Sequence, residues 1–219
     1  MRLGLFGGTF DPVHYGHLLL AECCREQCQL DEVWFLPAAT PPHKQSRPLT
    51  PAAQRIEMLQ LAVGGHRPFQ VCALEIERGG VSYTVDTLAE LAQQEPGREL
   101  FFLLGADSLD DLPHWREPAR LCQMAVPVAV CRPGAPQPNY DVLAPLVPPE
   151  RLAEIRRHLV NMPQIGLSSR EIRSRIAAGE SIRFRTPRAV EKYIQSHELY
   201  RQVDEIAGDR PGKSSGEDC

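Results

Sequence analysis

Several features that would assign the chain to particular protein classes are missing from its sequence. No apolar run approaches the roughly 20 residues that a membrane-spanning helix needs. The first apolar stretch, Leu3 to Phe6, ends at two glycines, well short of the apolar core of a secretion signal. A basic excess is also missing, since the formal net charge is -4 at pH 7. We therefore expect no membrane partner and no nucleic-acid partner attracted by a global positive field.

The seven cysteines form no CxxC pair, and none has the spacing to histidine that a structural zinc site uses. Most of them lie inside apolar segments, as reduced core thiols do in a cytosolic protein. We therefore predict a cytoplasmic protein with no dedicated protein metal site. The sequence has no internal repeat, and 219 residues suffice for one sizeable core.

Short apolar runs alternate with helical patterns along the chain, which predicts an α/β fold with a mostly parallel sheet. Strands are predicted at 2–6, 32–36, 69–76, 99–105, 125–131 and 159–165. Helices are predicted at 17–27 and 149–157, from Thr50 and Thr84 as caps, and from near Ser168 and Pro187. The runs ELFFLLG and AVPVAVC are apolar throughout, as is typical of strands buried on both faces.

One folded unit is predicted over residues 1–202, with a small helical C-terminal part from about residue 166. Residues 203–219 are polar and have no period, so we predict a disordered tail there. The loops that follow the first strand and the run ELFFLLG should border the same crevice, because parallel sheets bind ligands beyond the carboxyl ends of their strands.

The stretch GLFGGTFDPVHYGHL, residues 4–18, has the composition of an anion site. Gly7 and Gly8 permit close approach of backbone N–H groups, and Pro12 forces a turn. His14 and His17 are three residues apart at a predicted helix start, where free N–H groups and the helix dipole favour phosphate. Two other interpretations stay open: glycines needed only for tight packing, and histidines that form a metal pair without a third ligand of suitable spacing.

The segment GGTFDPVHYGHL resembles the signature of the HxGH nucleotidyltransferase superfamily, with residues 14–17 as the HxGH motif. The segment LSSREIR at 167–173 resembles the second phosphate motif of that superfamily. Between them, LPAATPPHK, GGVSYTVDTL and LLGADSLDDLPHW are similar, in order and spacing, to motifs of the bacterial nicotinate-mononucleotide adenylyltransferases. The resemblance extends from residue 1 to about residue 202 and implies a Rossmann-like, doubly wound sheet.

The resemblance implies adenylyl transfer from ATP to nicotinate mononucleotide in NAD biosynthesis, with nicotinate adenine dinucleotide and pyrophosphate as products. It implies catalytic roles for His14, His17 and Arg173, and Mg²⁺ bound through ATP phosphates. The implied ATP-binding residues are Gly7, Gly8, Thr9, Phe10, His14, His17, Gly105, Asp107, Ser168, Ser169 and Arg173. The implied mononucleotide-binding residues are His43, Lys44, Tyr83, Thr84, Trp115 and Arg132.

Each of these motifs also has a structural interpretation. Ser168 and Glu171 have the spacing of a capping box, and Thr84 can cap a plain helix. Trp115 can be a half-buried packing residue. Arg170 departs from the superfamily's usual threonine, which leaves open which side chains of this motif touch phosphate.

Two rival functions stay open. One is adenylyl transfer to another acceptor, nicotinamide mononucleotide or phosphopantetheine. The other is nucleotide binding by a regulator without turnover. The sequence leaves the oligomeric state undecided, so a homo-oligomer is compatible with it.

Overall fold

The structure is a computed structural model that describes residues 1–41, 49–131, 134 and 137–201, apart from the side chain of Asp107. Several predictions lie outside this part of the chain. They concern His43, Lys44, Arg132 and the tail at 203–219.

A parallel sheet of six strands forms the centre of the described part of the chain. The strands are β1 (Arg2–Gly8), β2 (Glu32–Pro37), β3 (Phe69–Val71), β4 (Glu99–Gly105), β5 (Ala125–Cys131) and β6 (Val160–Asn161). Their order across the sheet is β3-β2-β1-β4-β5-β6, and every neighbouring pair is parallel. This is the Rossmann order, so the predicted fold class is confirmed.

The helices alternate with these strands. Within the described part of the chain, the helices are α1 (Tyr15–Gln27), α2 (Ala52–Val63), α3 (Leu74–Arg78), α4 (Thr84–Gln94), α5 (Ala106–Asp111), α6 (Pro118–Met124), α7 (Pro149–Arg156), α8 (Ser169–Ala177) and α9 (Arg188–Ser196). Leu112–His114 and Tyr140–Leu143 form short 3-10 turns. None of the described helices is long and apolar enough to cross a membrane.

The two fully apolar runs are the central strands, as predicted. All seven residues of β5 are buried, and so are Leu100 to Leu104 of β4. They join one core with β1, whose residues Leu3 to Phe6 are buried. The six cysteines of the described chain are free thiols, in agreement with the prediction of reduced residues.

The predicted strand over 69–76 is wrong beyond Val71, because the chain turns there into α3 at Leu74. β3 lies at the sheet edge and pairs with β2 alone over three residues. A five-residue helix is too short for its periodicity to show in the sequence.

The predicted strand over 159–165 is also too long, since β6 has only two residues. They pair with Val130 and Cys131, the last two residues of β5. Beyond Asn161 the chain makes one more backbone bond to this strand, from the N–H of Met162 to the carbonyl of Cys131 at 3.1 Å.

Two predicted helix caps are displaced by one residue. Pro51, not Thr50, is the N-cap of α2, and Tyr83, not Thr84, is the N-cap of α4. Tyr83 has extended backbone geometry, and its carbonyl accepts from the N–H groups of Asp86 at 3.1 Å and Thr87 at 3.3 Å. Thr84 is therefore the first helical residue.

Candidate active site

The strand order reverses between β1 and β4, and ligands of open α/β sheets bind at this position. The loop from Thr9 to His14, here called the phosphate loop, connects β1 to α1 at this point. Gly105, at the end of β4, is the N-cap of α5. A Cβ at Gly105 would meet no atom of the described chain within 4 Å, so this backbone borders open space.

Gly8 has a packing role in the phosphate loop. A Cβ there would lie 3.0 Å from the ring of Phe10, which is buried and has a φ of 48°. A Cβ at Gly7 would meet Phe102 at an ordinary 3.7 Å. The packing interpretation of the glycines therefore holds for Gly8, while both residues also line the cavity described below.

The two histidines stack at the start of α1. Their ring centroids are 3.7 Å apart with an interplanar angle of 20°. His14 is the N-cap residue and is buried, and His17 is the third residue of the helix. The helix start and the shared face that the sequence predicted are thus confirmed.

The orientation of His17 determines which ring nitrogen can donate to a ligand. Its Nδ1 accepts a hydrogen bond from the backbone N–H of His14 at 3.2 Å. An accepting Nδ1 needs its lone pair, so the neutral ring carries its proton on Nε2. The ring therefore offers an Nε2–H donor at the positive end of the helix dipole.

Gly16, the third residue of the HxGH motif, leaves room for the ring of His14. A Cβ at this position would lie 3.0 Å from both Cε1 and Nδ1 of His14. A larger residue at position 16 would therefore displace the imidazole that stacks on His17.

The C-terminal motif docks directly on the phosphate loop. The Ser169 hydroxyl donates to the carbonyl of Pro12 at 2.8 Å, and Nη1 of Arg173 donates to the carbonyl of Asp11 at 2.5 Å. These contacts join positions about 160 residues apart in the sequence, and they bring the two predicted phosphate motifs together.

Ser168 caps α8, as the sequence predicted. Its Oγ accepts from the N–H of Glu171 at 3.1 Å, so the hydroxyl hydrogen remains for another acceptor. Arg170 is exposed on the same helix, while Arg173 points to the phosphate loop. The departure at position 170 thus falls on a side chain that faces solvent.

A cavity of about 310 Å³ opens beside the phosphate loop. Three predicted mononucleotide-binding residues, Tyr83, Thr84 and Trp115, line it together with Thr9. Trp115 packs edge-on against Phe102, with ring centroids 5.7 Å apart. The remaining walls are largely apolar, which suits a flat aromatic ring.

The start of α4 supplies polar groups to this cavity. The N–H groups of Thr84 and Val85 open the helix and have no preceding intrahelical acceptor. The N–H of Asp86 is not available, since it donates to Tyr83. The carboxylate of Asp86 lies 3.5 Å from the guanidinium of Arg116, which also stacks over the Tyr83 ring at 4.7 Å.

Glu75 is a cavity residue that sequence reasoning missed. It is 6% exposed, and it accepts a hydrogen bond from the Thr87 hydroxyl at 2.9 Å. Burial raises the pKa of its carboxyl, opposed by hydrogen bonds from Thr87 and Ser82. No sequence signal marked this glutamate, because it lies in the short α3 that was predicted as strand.

Two further missed residues, Arg55 and Tyr200, lie behind the phosphate loop. Arg55 is 2% exposed, and desolvation lowers the pKa of its guanidinium, partly offset by Asp11. The Tyr200 hydroxyl donates to a carboxylate oxygen of Asp11 at 2.6 Å. Burial and this carboxylate raise the pKa of the tyrosine.

The geometry provides donors for anions but no grouped metal ligands. Among residues 1–41, 49–131, 134 and 137–201, no three His, Cys, Asp or Glu side chains are placed to hold a metal ion. Imidazole, guanidinium, hydroxyl and N–H groups suit phosphate oxygens rather than a hard cation.

Comparison with known proteins identifies related sequences and structures. The family model described as Cytidylyltransferase-like matches residues 5–175. A protein of Thermomicrobium roseum named "Probable nicotinate-nucleotide adenylyltransferase" is 44% identical over 98% of this chain and 99% of its own length. A protein of the same name from Thermus thermophilus is 48% identical over 92% of this chain and 100% of its own length.

Among solved structures, a Plasmodium falciparum nicotinic acid mononucleotide adenylyltransferase complexed with NaAD matches with a TM-score of 0.70. It is 19% identical and covers 91% of this chain and 97% of its own, a likeness that bears on the fold. Together with the sequence matches over nearly the full chain, these findings establish that the chain belongs to the cytidylyltransferase-like family of nucleotidyltransferases.

Proposed function

We propose that this chain transfers the adenylyl group of ATP to nicotinate mononucleotide, giving nicotinate adenine dinucleotide and pyrophosphate in NAD biosynthesis. The observation that carries the proposal is the convergence of two phosphate motifs on one loop. Ser169 and Arg173 hold the loop that presents the stacked His14 and His17. A cavity suited to a pyridine ring opens beside that loop.

The reaction needs no protein nucleophile. An oxygen of the mononucleotide phosphate attacks the α-phosphorus of ATP and forms a new P–O bond. The bond from the α-phosphorus to the oxygen that bridges to the β-phosphorus breaks, and pyrophosphate leaves with that electron pair. Catalysis then consists of positioning and charge stabilisation.

The histidines are assigned to the reacting phosphates. The Nε2–H of His17 and the N-terminus of α1 would stabilise charge that develops at the α-phosphorus. His14, buried beneath it, would hold that ring and contact ATP phosphate. The loop residues Gly7, Gly8, Thr9 and Phe10 complete the proposed ATP site.

The start of α8 is assigned to the leaving group. Arg173 carries five N–H donors, so a guanidinium that holds the Asp11 carbonyl can serve a phosphate oxygen as well. Ser168 retains its hydroxyl hydrogen, and Ser169 fixes the helix against the loop. These groups would hold the β- and γ-phosphates.

The cavity is assigned to the acceptor. The pyridine ring would lie against Trp115 and Tyr83, with its carboxylate at the N–H groups of Thr84 and Val85. Charge-assisted hydrogen bonds and the helix dipole favour a carboxylate over a carboxamide there. His43, Lys44 and Arg132, outside the described residues, remain proposed mononucleotide contacts, and Gly105 and Asp107 remain proposed nucleotide contacts.

Magnesium enters this proposal as part of the Mg–ATP substrate. The groups around the phosphate loop are donors, and the one carboxylate of the loop, Asp11, is 1% exposed and bonded to Tyr200. The cation would therefore be held by phosphate oxygens and water. We also propose a cytoplasmic location, and a homo-oligomeric assembly is compatible with the proposed function.

The test is pyrophosphate release from ATP with three acceptors, each at several concentrations: nicotinate mononucleotide, nicotinamide mononucleotide and phosphopantetheine. We expect kcat/KM to be roughly 10 to 100 times higher for the nicotinate form than for the amide, from an unpaired polar contact of about 1–3 kcal/mol. A preference for the amide would refute the assigned carboxylate site. Turnover with phosphopantetheine alone would assign another acceptor, and no turnover at all would favour a binding regulator.

A further inference from the structure

The backbone carbonyls of the phosphate loop are held by side chains from distant parts of the chain. Arg55 of α2 donates to the carbonyl of Thr9 at 3.0 Å. The carbonyls of Asp11 and Pro12 accept from Arg173 and Ser169 of α8, as described above. The Thr186 hydroxyl, 1% exposed, donates to the carbonyl of Val13 at 2.8 Å.

This arrangement has a direct consequence for an anion site. Carbonyl oxygens repel phosphate, whereas N–H groups bind it. In a trans peptide the carbonyl and the following N–H point to opposite edges. Holding the Thr9 carbonyl toward Arg55 therefore orients the N–H of Phe10 to the other edge, and Thr186 orients the N–H of His14, which donates to Nδ1 of His17.

Arg55 is the most unusual of these donors because its guanidinium is almost wholly buried. Nε donates to the carbonyl of Thr50 and Nη1 to that of Thr9, both at 3.0 Å. The nearby charge that offsets its desolvation is Asp11. A buried charge of this kind costs more free energy than an apolar side chain would, so stability alone does not account for its presence.

Asp11 is in turn fixed from the C-terminal side. Its carboxylate accepts from the Tyr200 hydroxyl, and its carbonyl accepts from Arg173. Tyr200 follows α9 and has a φ of 63°, a left-handed conformation that is uncommon for a non-glycine residue. The chain thus adopts a strained backbone where this hydroxyl reaches the loop.

We propose that Arg55 and the Asp11–Tyr200 pair are positioning residues for adenylyl transfer: they hold the carbonyl edge of the phosphate loop away from ATP. The inference rests on the proposed function, and it assigns these residues no contact with the reacting atoms. Their removal should loosen the loop that carries the histidines, with a larger effect on kcat than on folding.

The matched control for Arg55 is Arg151, which makes the same kind of contact far from the loop. It donates from Nε to the carbonyl of Cys122 and from Nη2 to that of Ala125, both at 2.9 Å. Arg55→Met and Arg151→Met each remove two arginine–carbonyl bonds, and Arg151→Met also removes an ion pair with Glu154 at 2.7 Å. We expect Arg55→Met to lower kcat for pyrophosphate release by about 10²-fold, the effect of a misplacement near 1 Å, while Arg151→Met changes kcat less than twofold.

Two additional measurements separate positioning from folding. Arg55→Lys keeps the charge and one donor nitrogen, so it should recover part of the lost kcat. The melting temperatures of both methionine variants are also compared. If Arg55 had only a structural role, Arg55→Met would have a lower melting temperature but an unchanged kcat at a temperature where the variant is folded. That outcome would overturn the proposal.

A second pair of variants tests the idea if Arg55→Met does not fold. Tyr200→Phe removes the hydroxyl bond to Asp11, and Tyr193→Phe removes a similar bond, at 2.5 Å, to Glu57 on α2. We expect Tyr200→Phe to lower kcat several-fold and Tyr193→Phe to leave it unchanged. Equal effects of the two changes would contradict the proposal.

Failure of the proposed function gives a different result. If the wild-type chain turns over no acceptor, Mg–ATP is titrated into the same variants by calorimetry. Weaker ATP binding by Arg55→Met than by Arg151→Met would then still support the positioning role. Equal ATP affinity would overturn it.

Discussion

Gly16→Ala should separate activity from stability in this protein. The new Cβ would lie 3.0 Å from Cε1 and Nδ1 of His14, about 0.4 Å inside the 3.4 Å at which ordinary contact begins. The ring of His14 cannot yield freely, because it is 6% exposed and stacks on His17 at 3.7 Å. The displacement therefore passes to the ring that is assigned to the α-phosphorus.

The magnitude follows from the size of that shift. A misplacement of 1 Å costs about 10²-fold in rate, so a shift of about 0.4 Å should cost roughly tenfold in kcat, or about 1.4 kcal/mol in the activation free energy. Alanine is favoured over glycine inside a helix by about 0.5–1 kcal/mol, and Gly16 is the second residue of α1. This gain in helix stability offsets the unfavourable energy of the close contact with His14, so the melting temperature should change little.

The assay is kcat for pyrophosphate release beside the melting temperature of the same preparation. Slower turnover with an unchanged melting temperature is the expected result. An unchanged kcat would refute the link between position 16 and the stacked rings, and a parallel fall in both quantities would indicate a general loss of folding instead.

Four further variants test other parts of the site. His17→Ala should lower kcat by about 10²-fold or more, the effect of losing one preorganised donor, with a much smaller change in ATP affinity; a near-normal kcat would remove His17 from the proposed role. Arg173→Ala should weaken ATP binding more than mononucleotide binding in separate titrations, whereas Arg170→Thr, on the exposed side of the same helix, should change either affinity little. A larger loss of mononucleotide binding than of ATP binding in Arg173→Ala would show that the motif does not serve ATP. The melting temperature of Glu75→Gln, measured relative to that of the wild type, should rise as the pH rises above the ordinary carboxyl pKa of about 4.3 toward neutrality. The raised pKa of Glu75 means that the wild type loses stability as pH rises above that ordinary value, so a difference that is constant with pH would show that this carboxyl does not titrate as inferred.

The local features of the fold were available from the sequence. β4 and β5 were predicted because strands buried on both faces are apolar at every position. The phosphate loop and the start of α1 were predicted because glycine, proline and the histidine spacing act within a few residues. The Ser168 cap of α8 is equally local, since its partner is the N–H of Glu171.

The tertiary structure decided the features that depend on a distant partner. β3 ends because the chain turns into α3, although β2 continues to Pro37, and β6 pairs with the last two residues of β5; no local pattern records either limit. Arg55 occupies an ordinary position of an amphipathic helix, and only the fold brings it to the Thr9 carbonyl. The sequence by itself thus determined where the two predicted phosphate motifs and their helix starts lie, because turn chemistry and helix starts are local. How the carbonyl edge of that loop is held was decided by contacts between residues 46 to 189 positions apart, because buried polar groups find their partners only when the chain has packed.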